Sequence, residues 1–324
     1  MRGLVDGGRL KVMHGAPGKL LATIRTCLRS SPDYLHYDWT YSYFVRRYRP
    51  LSWLLGVVFV VEVLAARHLF GCRIVWTLHN IESHEPKHRR LERWVHRRLA
   101  KQCKWIRVMS PSLVEQAARY LSVDPDAVRP LPEGSYVGYY ANQVSRSEAR
   151  NKLGILDDAT VLLSIGSIRP YKGIEQYLAV VAKIEDPRVC AVIAGPCRIP
   201  ELAQRIQDIA ARDRRIRLLL RYLLDDELQY YFNASDIVVL PFDEITNSGS
   251  VILAMGYAKP IVAPSLGAIP HRLQQQKELL YNPGELENAI RHALSMNHER
   301  LESLGKLNLA TVQEHDWRRF QDFF

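Results

Sequence analysis

The feature that most restricts the fold is an alternation running the length of the chain, in which apolar runs of strand length are separated by amphipathic stretches of helix length. Strands spaced in this way pair in parallel, because a parallel neighbour needs a crossover and a helix supplies one. In the first half the strand candidates are residues 9–13, 33–39, 73–80, 105–110 and 127–132. In the second half they are 160–167, 189–196, 216–223, 236–242, 260–264 and a short 278–282. A chain of 324 residues exceeds what one hydrophobic core usually serves, so two domains are expected. The polar and aromatic stretch 134–150 holds the junction, since Ser145 and Glu148 have the spacing of a helix capping box. The implied class is α/β: two Rossmann-like domains, 1–148 and 149–324, each a parallel sheet with helices on both faces. The last segment, 315–324, is expected to cross back toward the first domain. Open sheets of this kind bind ligands at the carboxyl ends of their strands, which puts the expected site on loops after strands, in the crevice between the domains.

Charge is divided unevenly. Residues 1–150 hold 24 Lys and Arg against 12 Asp and Glu, a net +12, which leaves 20 against 22 for the remainder. Much of the excess lies at Arg46, Arg47 and Arg49 and in the run 87–104, whose spacing suits a basic helix. Such a surface suits an anionic partner, nucleic acid or anionic lipid, or is a solvated helix face with none. Between the two basic groups lies the most apolar stretch, 51–70. Eleven apolar or small residues precede Glu62, short of the roughly 20 that a spanning helix needs. The stretch therefore reads as a buried helix or as one lying in a membrane interface. Five scattered cysteines, Cys27, Cys72, Cys103, Cys190 and Cys197, form no C-x-x-C pair, which fits a reducing compartment and argues against structural zinc. The N-terminus lacks the pattern of a signal peptide, so nothing predicts export and the expected location is cytoplasmic.

Two loops carry chemistry. The first, 164–173, follows a strand and reads SIGSIRPYKG; its Arg169 and Lys172 can grip diphosphate oxygens beside Gly166 and neutralise a leaving group. A surface loop with incidental basic residues is the plain alternative. The second follows the strand 236–242 and leads through Thr246, Asn247, Ser248, Gly249 and Ser250 into an apolar helix. Free amides at a helix N-terminus with small side chains form an anion site, whereas an ordinary serine cap is the alternative. Tyr222, after the strand at 216, is placed to stack on a nucleobase or to pack in the core. Asp124 and Asp126 have D-x-D spacing but precede a strand, which makes a turn the better reading; no bound metal is expected. No G-x-S-x-G elbow, P-loop or H-E-x-x-H occurs.

The phrases TLHN at 77–80, GSIRPYKG at 166–173, DDELQYYFNASDIVVLPF at 225–242 and SGSVILAMGYAKPIVAP at 248–264 together make the chain resemble the GT-B glycosyltransferases of glycosyltransferase family 4 over nearly its whole length. The resemblance implies an acceptor-side first domain, a nucleotide-sugar donor domain, Arg169 and Lys172 as diphosphate ligands, and Thr246 to Ser250 at the donor phosphates. His79 matches the crevice histidine of the family, a structural histidine being the alternative, with Glu82 and Glu85 as further candidates for a base acting on the acceptor hydroxyl. Two departures stand out. Glu244 lies one residue from the place of the glutamate that touches the donor sugar, and Leu253 takes the place of the glutamate that binds ribose. The chain also opens before what resembles the second strand of the family, so the first βα unit is expected to be missing.

The resulting expectation is a glycosyltransferase that moves a sugar from a nucleotide-diphosphate donor to an acceptor hydroxyl in polysaccharide or glycolipid synthesis, with retention of configuration. It would use no cofactor and bind no nucleic acid; its acceptor would be lipid-linked or a saccharide, with peripheral contact at the anionic inner membrane face. The alternatives are a non-catalytic partner subunit on the same fold, which would bind without turnover, and a nucleotide-sugar epimerase or a phosphorylase.

Overall fold

The computed structural model describes residues 11–15, 20–82 and 87–324. The chain divides into two compact units, Met1–Glu133 with Trp317–Phe324, and Gly134–Asp316.

In the first unit β1 (Tyr34–Tyr37), β2 (Arg73–Thr77), β3 (Cys103–Val108) and β4 (Val128–Pro130) form a parallel sheet in the order β1-β2-β3-β4. Register carries Tyr37 beside Trp76, Trp76 beside Ile106 and Ile106 beside Val128. Ile74, Val75, Trp76 and Thr77 are all buried, as expected for a parallel strand covered on both faces. Helices Arg49–His68, Arg89–Ala100 and Val114–Leu121 make the crossovers. The strand expected at 9–13 does not form among the described residues there: Lys11, Val12 and Met13 are exposed and unladdered, and Arg9 and Leu10 lie outside the described residues. So short an apolar run buries too little to hold a strand without a covering helix.

The second unit holds six parallel strands, β5 (Thr160–Ile165), β6 (Val189–Ala194), β7 (Ile216–Leu219), β8 (Ile237–Val239), β9 (Ile261–Pro264) and β10 (Leu280–Tyr281), in the order β10-β9-β8-β5-β6-β7. Side chains alternate between two cores: Val161, Leu163 and Ile165 enter one, Leu162 the other, so each face of the sheet is covered. Winding runs outward in both directions from β5, and the reversal between β5 and β8 is where such sheets open a ligand crevice beyond their strand ends. The capping box forms as the spacing requires: the Ser145 hydroxyl accepts from the Glu148 backbone N–H, and the Glu148 carboxylate accepts from that of Ser145. The compact division falls at Glu133, ahead of the residue-148 boundary read from sequence. Residues 134–148 cluster with the second unit because Tyr136 and Val137 lie along the Gly249–Gly256 helix and the Gln229 side chain accepts from the backbone of Gln143 and Val144.

Candidate functional site

The loops that leave β5 and β8 meet at the switch point. Gly166 follows β5 with φ of 127°, a left-handed conformation that glycine tolerates, and a Cβ there would lie 3.0 Å from Ser250 Oγ. The Ser250 hydroxyl donates to the Ile165 carbonyl at 3.2 Å, which sets the N-terminus of the Gly249–Gly256 helix against the Gly166 loop. Ser248 precedes that helix but makes no side-chain capping bond. Its hydroxyl is buried, with the residue 5% exposed, and has no hydrogen-bond partner among the described residues. This differs from an ordinary serine cap, and leaving a buried hydroxyl unsatisfied costs about 1 to 3 kcal/mol unless a ligand bonds it. Thr246 and Asn247 are half-buried. The loop is backed by its neighbours, since the Thr246 carbonyl accepts from the Ala268 N–H at 2.8 Å.

Arg169 and Lys172 bracket the single turn Pro170–Lys172 that follows β5, and both are half-buried. The Lys172 ammonium lies 4.1 Å from the centre of the Phe242 ring and 5.5 Å from that of Tyr171. Burial there lowers its pKa to about 8. Lys172, Gly166 and Ser167 line one cavity of about 10 Å³ together with Leu240 and Phe242. Gly173 permits this approach: its φ is 65°, and a Cβ would overlap the Pro241 carbonyl oxygen.

Glu244 is exposed. Asp243, which sequence reasoning passed over, is the acid tied to the Lys172 loop. Its backbone N–H donates to the Tyr171 carbonyl at 2.9 Å and its carboxylate accepts from Gln176 Nε2 at 2.8 Å. Burial raises its pKa, and the neighbouring Glu244 charge adds to that, against the Gln176 bond. Leu253, at the expected ribose-binding position, packs on the apolar core instead. Tyr222 is 67% exposed, so it is not a core residue. Tyr136, from the segment ahead of the capping box, places its hydroxyl 3.6 Å from where a Cβ on Gly249 would sit, a proximity that no local motif signals.

On the first unit, Asp38 and Trp39 follow β1 and His79 follows β2, so adjacent parallel strands deliver them to one end of the sheet. His79 Nε2 lies 2.5 Å from Asp38 Oδ1, and its ring stacks on Trp39 with centroids 4.2 Å apart and planes 7° from parallel. Partial burial opposes ionisation of Asp38, yet the His79 hydrogen bond, with the charges of His79, His36 and Arg107, holds its pKa below the usual value. Such a carboxylate–imidazole pair orients a base. Asp38 and Trp39 were missed because they stand 41 and 40 residues from His79 and only the β1–β2 register joins them. Glu82 is engaged by Arg93 at 2.5 Å and Arg89 at 3.9 Å. His84 and Glu85 lie outside the described residues. Asp124 forms the expected turn, its side chain accepting from the Asp126 backbone N–H at 2.9 Å.

Comparison with known proteins places these loops in context. The family described as Glycosyl transferases group 1 matches residues 159–296. A curated GDP-mannose:glycolipid 4-beta-D-mannosyltransferase of Xanthomonas campestris pv. campestris is 28% identical over 303 residues, 92% of this chain and 79% of that protein. A D-inositol 3-phosphate glycosyltransferase of Corynebacterium efficiens is 26% identical over 161 residues, covering 47% of this chain and 38% of its own length. Among solved structures, Anabaena HepE in complex with UDP-glucose superposes with a TM-score of 0.73 at 16% identity, over 97% of this chain and 83% of that one. Sucrose-phosphate synthase from Thermosynechococcus elongatus superposes with a TM-score of 0.74 at 20% identity, over 94% and 75%. The structural likenesses show the fold, two Rossmann-like domains of the GT-B type.

Proposed function

Because this chain is a GT-B glycosyltransferase, we propose that it moves a sugar from a nucleoside diphosphate to a hydroxyl of a glycolipid acceptor, with the donor diphosphate bound between the Gly166 loop and the Gly249–Gly256 helix. The observation that carries this is the buried, unpartnered Ser248 hydroxyl at a helix N-terminus that Ser250 fastens to the β5 loop. Helix amides and the Ser248 hydroxyl donate to phosphate oxygens, while Arg169 and Lys172 offset the charge that grows on the leaving diphosphate. The mannosyltransferase similar to most of the chain is named for GDP-mannose and a glycolipid, which supports a guanosine donor and a lipid-linked acceptor. The HepE structure carries UDP-glucose, so uridine donors are the comparison to run.

The test is a thermal-shift and calorimetric screen of GDP, UDP, ADP and TDP, alone and as sugar conjugates, followed by turnover on a glycolipid acceptor. One nucleotide should stabilise the protein, and Arg169→Ala should weaken its binding by about 1.5 to 3 kcal/mol through loss of a charge-assisted bond. Absence of stabilisation by any of them sinks the reading. Binding without turnover supports a non-catalytic subunit, and donor conversion without acceptor an epimerase. The family resemblance supports retention of configuration. A second outcome, inversion with His79 as base, is favoured by its Asp38 pairing and by the β-linkage in the name of the mannosyltransferase. The anomeric proton coupling of the product separates the two.

A further inference from the structure

The Arg49–His68 helix is apolar on the side where a surface helix carries its charges. Its inward face holds Ser52, Gly56, Phe59, Val63 and its one interior acid, Glu62, which is 2% exposed and accepts from the Thr23 backbone N–H at 2.9 Å. The outward face holds Leu51, Leu54, Val57, Val61 and Leu64, exposed by 37% to 61%. At spacings of three and four residues these make one stripe about 20 Å long, uninterrupted by charge. Although the apolar run ahead of Glu62 is short of a span, the 20-residue helix as a whole is long and apolar enough, by length and composition, to cross a membrane. Its inward face, however, is packed within the unit: at Gly56 the neighbouring Arg89–Ala100 helix comes so close that an added Cβ would sit 2.9 Å from Leu91 Cδ1.

A basic edge adjoins the stripe. Trp53 meets Trp94 of the Arg89–Ala100 helix with ring centroids 5.7 Å apart. Arg90, Trp94 and Arg98 recur at intervals of four, so they share one face of that helix, and the Arg98 guanidinium lies 5.9 Å from the Trp94 ring. Arg93 is engaged by Glu82 and Arg97 by the Tyr120 carbonyl. Arg90 and Arg98 are exposed and pair with no carboxylate among the described residues. An apolar stripe, a tryptophan pair and a row of unneutralised guanidinium groups thus lie side by side, on the half of the sequence that carries the whole positive excess.

We propose that this face docks the first unit on the surface of a bilayer containing anionic phospholipid. The stripe sinks among the upper acyl carbons, the tryptophans sit at headgroup depth and Arg90 and Arg98 meet lipid phosphates. A second copy of the chain is a poorer occupant, because a twofold pairing of the stripe would bring like-charged edges together. The inference is independent of the donor reading, since it is tested without substrate.

The test is flotation of the full chain with vesicles of phosphatidylcholine alone and of phosphatidylcholine doped with phosphatidylglycerol. The protein should float with the anionic vesicles and be released by salt. Val61→Asp should abolish flotation, and the Arg90→Gln, Arg98→Gln pair should weaken it about thirtyfold. Leu156→Asp, on the second unit where Leu156 is 72% exposed, should leave it unchanged. All of these positions are at the surface, and unchanged melting curves confirm intact folding. Equal binding to neutral vesicles, or a Val61→Asp protein that floats like the unmodified chain, would overturn the proposal. So would a dimer that Val61→Asp dissolves without lipid and that fails to float.

Discussion

Lys172 occupies a place where charge is costly. Burial against Phe242 and Tyr171 lowers the pKa of its ammonium from 10.5 to about 8. A diphosphate favours the charged form, so binding above that pKa must take up a proton. Nucleotide affinity should therefore fall as pH rises through 8, by up to about tenfold per pH unit. Calorimetry in buffers of different ionisation enthalpy should register the proton uptake directly. Lys172→Arg, which stays charged, should flatten the profile; a flat profile in the unmodified protein would remove Lys172 from the phosphate site. The sign for folding is the same way round as for other buried cations. Between 8 and 10.5 the native state binds fewer protons than the unfolded chain at Lys172, and at Lys259, whose pKa burial likewise lowers to about 8. Stability contributed by the two lysines thus rises with pH across that window.

Among elements, the helix that opens the second sheet is held by one carboxylate that two of its arginines share, Asp236 pairing with buried Arg150 and, at 2.9 Å, with exposed Arg146. Arg150, on Arg146–Leu153, is fully buried: Nη2 donates to Asp236 at 2.7 Å, Nε to the Ala234 carbonyl at 3.2 Å, and Nη1 to the carbonyls of Leu156 and Asp157 at 2.9 and 2.7 Å. Asp236 also accepts from the Val161 backbone N–H at 2.7 Å, so the pair joins the helix to the starts of β5 and β8. Arg150→Met leaves that carboxylate only its exposed partner Arg146 and strips three backbone carbonyls of a donor, which should cost about 3 kcal/mol. Denaturant unfolding of the second unit should show the loss, and Asp236→Asn added to Arg150→Met should recover part of it. The Ser145–Glu148 cap ahead of this helix was legible in sequence, as were β1 to β10, most plainly β2, β5, β6, β8 and β9, because capping chemistry and double-sided burial both write themselves into consecutive residues. The positions of Arg169, Lys172 and His79 on loops beyond strand ends were legible for a related reason, since each lies within seven residues of the end of β5 or β2. What was not legible depends on register and helix contact. Asp38 meets His79 across two strands and Trp53 meets Trp94 across two helices, 41 residues apart in each case. Nothing in either local sequence marks the partner.

At the scale of the molecule, the chain ends in the unit where it began. Trp317–Phe324 clusters with Met1–Glu133, which makes Gly134–Asp316 an insertion between two parts of the first unit. The closing segment is bound by aromatic contacts: Phe320 lies under the Arg107 guanidinium at 4.8 Å and 5.3 Å from the His36 ring, while Phe324 meets the Tyr34 ring edge-on at 5.3 Å. Tyr34 and His36 are on β1 and Arg107 is on β3, so the segment covers two strands that β2 separates. An element so placed stabilises the first unit although the chain enters it only after the second unit is complete. Phe320 is 7% exposed, and Phe320→Ala should cost about 3 kcal/mol. If the units unfold separately, that loss stays in the first: hydrogen exchange should quicken in β1 and β3 and stay unchanged in β5 and β6. Equal acceleration in both sheets would mean that the two units open together, and that closing the chain on the first unit also holds the second.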